Sequence, residues 1–214
     1  MVDEYRRQRF LAALTEAAHE EGIPDVSAAK IVERTPMSRG TFYELFDSKD
    51  QCLQFCFEES FKLLFEPVWA ASDSTAIWIE RVRAGVGALF DGIAAEPLLA
   101  EFALVHSRGV GDVTLAAGHN YEAGVTAITR LLSGGRDAAR EELGSDYNEP
   151  PPTAEEFLAQ AILSLAVLQI KQGSAKALPS QRDEMVILAA TPFFGLEGAM
   201  RIGREQLSQS RKIA

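Results

Sequence analysis

The chain has 214 residues, 47% hydrophobic and 24% charged, with a formal net charge of −10. That length can bury a sizeable core in one or two domains, and the balance is that of an ordinary globular protein. An acidic chain is a poor general binder of nucleic acid, so any DNA-facing surface has to be a local patch.

No uninterrupted apolar run approaches the roughly 18 residues needed to cross a bilayer. The start, MVDEYRRQRF, lacks the apolar segment of a signal peptide. The expectation is a cytoplasmic protein with no membrane partner. Residues from Arg6 to about Glu21 then form an amphipathic helix. Phe10, Leu11, Leu14 and Ala18 share one stripe, and Gly22 is a C-terminal stop. Ser27 can N-cap a short helix whose Ala28, Ile31 and Val32 lie on one face. Thr35-Pro36 ends it, because proline lacks an amide donor and restricts the residue before it. Ser38 caps the next helix. Met37, Phe42, Leu45 and Phe46 turn toward a core, which leaves Arg39, Gly40, Thr41 and Tyr43 at an exposed beginning. A short helix with a small, cationic and hydroxylic first turn can enter a DNA major groove. The unit is a helix-turn-helix.

SRGTFYELFDSKDQCL, with the upstream helix ending IVERTPMS, resembles the DNA-binding end of TetR-type transcriptional regulators. The resemblance is specific over roughly residues 6–60 and continues more weakly through helix pattern and chain length. Two positions depart from the commoner pattern. Thr35-Pro36 stands where Ala-Gly is usual in the turn, and Leu45 stands where the family often has His.

Asp47-Ser48 is a polar break and an N-cap. Lys49 to about Ala70 makes a long helix with Leu53, Phe57, Phe61, Leu64 and Val68 as its apolar positions. Ser72–Ala95 is the next, with Ile77, Trp78, Val82, Val86 and Phe90. Pro97 opens a shorter helix through His106. Gly109–Gly111 is a break, and Asp112–Leu132 is helical. Residues 133–153, SGGRDAAREELGSDYNEPPPT, are charged and Gly/Pro-rich and read as a loop with scope for disorder. Thr153 with Glu156 makes a capping box for a helix to about Gln172, carrying Phe157, Leu158, Ala161, Ile162, Leu165 and Leu168. A last helix from about Arg182 to Gln206 contains Pro192, which should kink it. No strand-period segment or internal repeat is present. The fold class is all-α: an N-terminal three-helix helix-turn-helix DNA-binding domain over residues 1–50, then a helical ligand-binding and dimerisation bundle over 51–214.

Within the reading region, Arg39 can fork onto guanine or onto a phosphate. Gly40 lets the backbone approach DNA closely. Thr41 offers a hydroxyl and a methyl to a base edge. Tyr43 and Lys49 suit phosphate contacts, and Ser27 and Ser38 can both cap their helices and donate to phosphates. Residues 1–50 hold seven Lys/Arg against ten Asp/Glu, a net −3. The basic patch therefore rests on Arg39 and Lys49, with Arg6, Arg7 and Arg9 as further candidates.

The resemblance implies more. Regulators of this type pair their last two helices with a partner's copy, so a homodimer through residues 154–172 and 182–206 is expected. Phe193, Phe194, Leu196, Ala199 and Met200 join the apolar positions of the preceding helix there. Two recognition helices about 34–36 Å apart would read a palindromic double-stranded DNA operator. The implied function is a one-component regulator, a repressor released by a small, largely apolar effector. Candidates for the effector pocket are Phe61, Phe65, Trp78, Phe102, His106, Tyr121 and Val125, an apolar set with two polar handles. The competing reading is a helical interaction module whose helix-turn-helix packs on protein.

Other constellations carry little. Glu16 and His19 form one E-x-x-H step where a di-iron bundle needs two, so that face reads as solvated. Cys52 and Cys56 lie four apart without a third ligand and read as buried small apolar residues. Gly85-x-Gly87 and Gly109-x-Gly111 follow no strand and are not phosphate loops. His106, Ser107 and Asp112 have the residue types of a hydrolase triad but no strained nucleophile turn. No enzyme activity, metal or cofactor is expected.

Overall fold

The computed structural model describes residues 2–106 and 114–213, with side chains over 2–106 and 120–204. The described residues are helical, with no strand among them. The helix-turn-helix comprises α1 (Val2–Glu21), α2 (Ala28–Glu33) and α3 (Arg39–Leu45). The body holds α4 (Lys49–Ser72), α5 (Trp78–Ala95), α6 (Pro97–Leu104), α7 (Thr114–Leu132), α8 (Gly135–Leu143), α9 (Ala154–Lys171) and α10 (Arg182–Ile213).

The helix boundaries of the N-terminal region follow local chemistry. Gly22 ends α1 at φ 79° and ψ 150°, a conformation that side-chain-bearing residues rarely adopt. The hydroxyls of Ser27, Ser38 and Ser48 accept the amides of Lys30, Thr41 and Gln51 at the starts of α2, α3 and α4. These caps occupy amide donors that a short helix cannot satisfy internally.

Two apolar clusters organise the chain. The first takes Phe10, Leu11 and Leu14 of α1, Ile31 of α2, Phe42 and Phe46 of the α3 region, and Cys52, Leu53, Cys56 and Phe57 of α4. The second takes Leu64, Phe65 and Val68 of the same α4 together with the remaining body helices. One 24-residue helix therefore serves both cores. Phe102 of α6 belongs to the first cluster, where its ring stacks on Phe57 at 4.3 Å. Asn120, buried on α7, donates to the Phe57 carbonyl at 2.7 Å and ties a third helix to the same level.

Several expectations are corrected. Residues 133–153 are not a loop: Gly135–Leu143 is helical, with Ala139 fully buried. Arg136 supplies the order. Its guanidinium donates to both Glu155 oxygens at 2.6 and 2.8 Å and to the carbonyls of Pro150 and Pro151 at 2.9 and 2.7 Å. The Thr153 capping box does not form. Thr153 is the N-cap, but its side chain makes no capping bond, and Glu155 rather than Glu156 is engaged, with Arg136. The helix expected from Ser72 starts at Trp78 instead, because α4 continues through Ser72 and the chain then turns through residues 73–77. The Gly109–Gly111 break and the expected start at Asp112 lie outside the described residues.

The break in α10 is at Gly195 and not at Pro192. Gly195 takes φ 68° and ψ 169° inside an otherwise helical run. Only glycine adopts that region without strain. The stretch Ala175–Arg204 is long and apolar enough to cross a membrane by those two criteria. In this fold it sends Ala189, Ala190, Phe193 and Ala199 into the body core.

A Gly195→Ala substitution meets no steric neighbour within 4 Å, so its cost is purely conformational. It is expected to lower the unfolding free energy by about 1–3 kcal/mol, measured by urea denaturation.

Candidate DNA-binding surface and cavities of the body

The recognition helix is seven residues long and is held from behind. Phe42 is fully buried, with its ring edge-on to Phe10 at 5.4 Å and tilted against Phe46 at 5.5 Å. Met37 and Leu45 pack on the same cluster. Leu45, in place of the commoner His, thus serves the core. The turn before α3 is closed by Thr35. Its hydroxyl donates to the Val32 carbonyl at 3.0 Å and accepts the Met37 amide at 3.2 Å. These two hydroxyl bonds close the turn without a glycine.

This anchoring leaves Arg39, Gly40 and Tyr43 exposed and Thr41 partly so. The Arg39 guanidinium lies 5.6 Å from the centre of the Tyr43 ring, a cation–π contact that orients it without neutralising it. Thr41 shares a hydrogen bond of 3.1 Å with the Ser38 hydroxyl. A methyl at Gly40 would meet only the Ser38 hydroxyl, at 3.4 Å, so glycine is not required there by the fold itself. The other expected residues are placed differently. Ser27 caps α2. Lys49 is half-buried, and its ammonium donates to the Val26 carbonyl at 3.1 Å, joining the start of α4 to the start of α2. At least one of its three donors is committed to the fold.

Other cations of this region serve the fold as well. Lys30 hydrogen-bonds Glu21, and Arg34 bonds Glu20 and Glu21 at 2.6 and 2.9 Å. The Lys30 ammonium, joined by Arg34, holds the Glu21 carboxyl below its usual range against a partial desolvation, and the Glu20 and Glu21 carboxylates raise Arg34 in turn. Arg6 sits beside Asp3 and Glu44, and Arg7 lies over the Phe46 and Phe55 rings.

His19 is not merely solvated. Its Nδ1 lies 2.7 Å from the Glu101 carboxylate, so α1 is linked to α6. The other Glu101 oxygen lies 3.8 Å from His106 Nε2, a buried atom with no hydrogen-bond partner among the described residues. Burial lowers the His106 pKa, with Glu101 opposing and His19 adding to the shift. Ser107 and Asp112 lie outside the described residues. Cys52 and Cys56 are free and fully buried, and burial raises the Cys56 thiol well above its ordinary value. Among the described residues no group of three His, Cys, Asp or Glu has the arrangement of a metal site.

The expected effector residues other than His106 are distributed over both apolar clusters. Trp78 packs edge-on to Phe193 and stacks on Phe194, and its indole donates to the Leu132 carbonyl at 3.0 Å. Phe102 is in the N-terminal core. Tyr121 and Val125 are buried in the body, with the Tyr121 hydroxyl 3.2 Å from Gln160. Phe61 and Phe65 stack at 4.4 Å and continue to Trp69. Two cavities lie elsewhere. One of about 400 Å³ opens among Val68, Trp69, Arg81, Arg130 and Leu131, at the ends of α4 and α7 and the start of α5. The other, of about 460 Å³, lies between α1 and the body, beside Leu11, Leu63 and Leu98.

The surface of α9 and α10 carries apolar residues that the monomer leaves in water. Phe157 is 71% and Leu168 49% exposed on α9, and both fall with Ala161 and Leu165 on one face. Leu188, Leu196 and Met200 are exposed on α10, Leu196 by 66%. Phe194, by contrast, is a core residue through its stack on Trp78.

Residues 10–55 match the sequence profile of the bacterial regulatory proteins, tetR family. A comparison with curated proteins found no match. Among solved structures, the chain is similar to the fatty acid degradation regulator FadR from Bacillus halodurans. That likeness has a TM-score of 0.71 at 16% identity and covers 86% of this chain and 94% of that one. The regulator FadR from Bacillus subtilis in complex with stearoyl-CoA gives 0.70 at 15%, covering 87% and 98%. The ketosteroid transcriptional regulator KstR2 of Mycobacterium tuberculosis gives 0.64 at 16%, covering 85% and 92%. At these identities the likeness establishes a shared fold.

The tie between Glu21 and the α2 cations has a pH signature. A carboxyl held below its unfolded value contributes stability that is complete above the ordinary carboxylate range and is lost as pH falls through the folded value. Glu21→Gln is therefore expected to destabilise the protein at neutral pH and to unfold like the wild type near about pH 2. Urea denaturation at both pH values checks this.

Proposed function

We propose that this chain, which belongs with the TetR-type transcriptional regulators by its N-terminal domain and its fold, is a repressor. It acts in the cytoplasm as a homodimer on a palindromic operator, and a small, largely apolar effector releases it. Residues 1–50 are the DNA-binding part, and residues 51–214 bind effector and partner. The observation that carries the reading is the outward face of α3. Arg39, Thr41 and Tyr43 project from a helix whose opposite side is anchored by Phe42. Arg39 stays unneutralised while Lys30 and Arg34 are consumed internally.

The exposed apolar face of α9 and α10 supports the homodimer. Exposed large apolar side chains on two neighbouring helices suit an association site, and a single short recognition helix reads too few bases to be selective. The stearoyl-CoA bound to the Bacillus subtilis neighbour and the ketosteroid regulation named for the Mycobacterium tuberculosis neighbour support an effector with a large apolar part. Phe61 and Phe65, stacked on α4, and Tyr121 on α7 are effector candidates of this reading. Effector and operator must weaken each other's binding by the same factor, since the coupling is reciprocal.

Selection of genomic fragments by the purified protein tests the DNA reading. A shared palindrome is expected in the bound fragments. Arg39→Ala is expected to cost about 1–3 kcal/mol on that palindrome and to relax base preference; unchanged affinity removes α3 from the interface.

Phe157→Glu and Leu196→Glu are expected to give a folded monomer, because both side chains are exposed in the monomer and would carry an unpaired charge only when buried by a partner. Light scattering reads the mass, and circular dichroism reads the fold.

A further inference from the structure

The cavity at the ends of α4 and α7 and the start of α5 is built differently from the aromatic core beside it. Val68 and Leu131 give it an apolar lining, and Trp69 adds an indole 40% exposed to solvent. Trp69 also continues the Phe61–Phe65 stack, with its ring 6.4 Å from each. The polar side is two guanidiniums, Arg81 and Arg130, and one carboxylate, Asp73.

Arg81 differs from the half-buried arginines that sit against a carboxylate. Arg83, one turn-half further along α5, pairs with Asp183 at 3.1 Å. Arg34 and Arg136 likewise find carboxylates. Arg81 Nε is out of water and has no hydrogen-bond partner among the described residues, in a chain with 31 acidic residues. Its neighbour Arg130 is exposed. Two guanidiniums against one carboxylate leave the cavity wall net positive, and an anion entering the cavity balances that charge. A planar guanidinium matches the two oxygens of a carboxylate or phosphate. Asp73 at the same cavity disfavours a second negative charge. A volume of about 400 Å³ fits a small molecule and no larger.

We propose that this cavity seats a carboxylic acid with an apolar body, its carboxylate on Arg81 and Arg130 and its body against Trp69, Val68 and Leu131. The proposal rests on the effector reading above and sharpens it: the effector is an amphipathic monoanion rather than a neutral apolar compound. The site lies at the far end of the helix that enters the N-terminal core, so its occupancy acts on α4 directly.

Calorimetry of the full-length protein with decanoate, methyl decanoate and decyl phosphate tests the site. Decanoate is expected to bind, the neutral ester about tenfold more weakly or not at all, and the phosphate more weakly than the acid. Arg81→Gln and Arg130→Gln should each weaken decanoate by about tenfold. Arg130 is exposed, so the second variant keeps the fold if the first does not. No binding of decanoate, equal binding of acid and ester, or equal binding by wild type and both variants overturns the proposal. Tighter binding of the phosphate overturns the assignment of a carboxylate. Operator affinity is read separately. Decanoate that binds through Arg81 and lowers operator affinity supports both readings. Decanoate that binds through Arg81 without changing it supports the site and overturns its regulatory role.

Discussion

The continuity of α4 is the constraint on which the rest depends. Two short helices of six and seven residues cannot persist alone in water, since helix nucleation is unfavourable and their own hydrogen bonds are few. They are stable here because α4 lends Cys52, Leu53, Cys56 and Phe57 to their core. The same helix then buries Leu64, Phe65 and Val68 in the body. At about 1.5 Å per residue it is roughly 36 Å long. Pro67 lies within it and removes one backbone hydrogen bond between its last turn and the rest of the helix. Phe102 stacked on Phe57, Asn120 on the Phe57 carbonyl, and His19 against Glu101 bind α6, α7 and α1 to the joint.

Charge is distributed to the same end. The N-terminal fifty residues are net acidic, and the structure spends most of their cations inside the fold. Lys30 and Arg34 lock α2 to α1, and Lys49 ties α4 to the segment just before α2. Arg39 is left to face outward over Tyr43. A surface of this kind has few phosphate contacts to offer, so its selectivity has to come from base edges rather than from general attraction. The acidic body opposes non-specific binding and so favours discrimination over raw affinity.

Much of the fold was legible in the sequence because its signals are local. The three serine caps, the Gly22 stop and the apolar spacing of α1, α4, α5 and α9 each act within a few residues of themselves. The elements that were misread depend on distant partners. Residues 135–143 form a helix because Arg136 finds Glu155 and two proline carbonyls fourteen to nineteen residues on, which a charged, proline-rich composition conceals. Periodicity does not separate a cavity wall from a packed core, and Trp78, Phe102 and Val125 are buried in the two apolar clusters. Arg81 lines a cavity although its Nε is buried without a hydrogen-bond partner among the described residues.

The chain's own residues thus determined its class, its helix-turn-helix and the side of α3 that faces outward, because caps and apolar periodicity are properties of neighbours along the chain. Only the tertiary structure decided which apolar residues remain uncovered. Phe157 and Phe194 look alike in sequence, yet one is exposed and the other stacks on Trp78. The tertiary structure likewise decided which cations stay free and where α10 breaks. Each of these outcomes is set by what a side chain meets across the fold, and a linear pattern carries no distance between residues that are far apart along the chain.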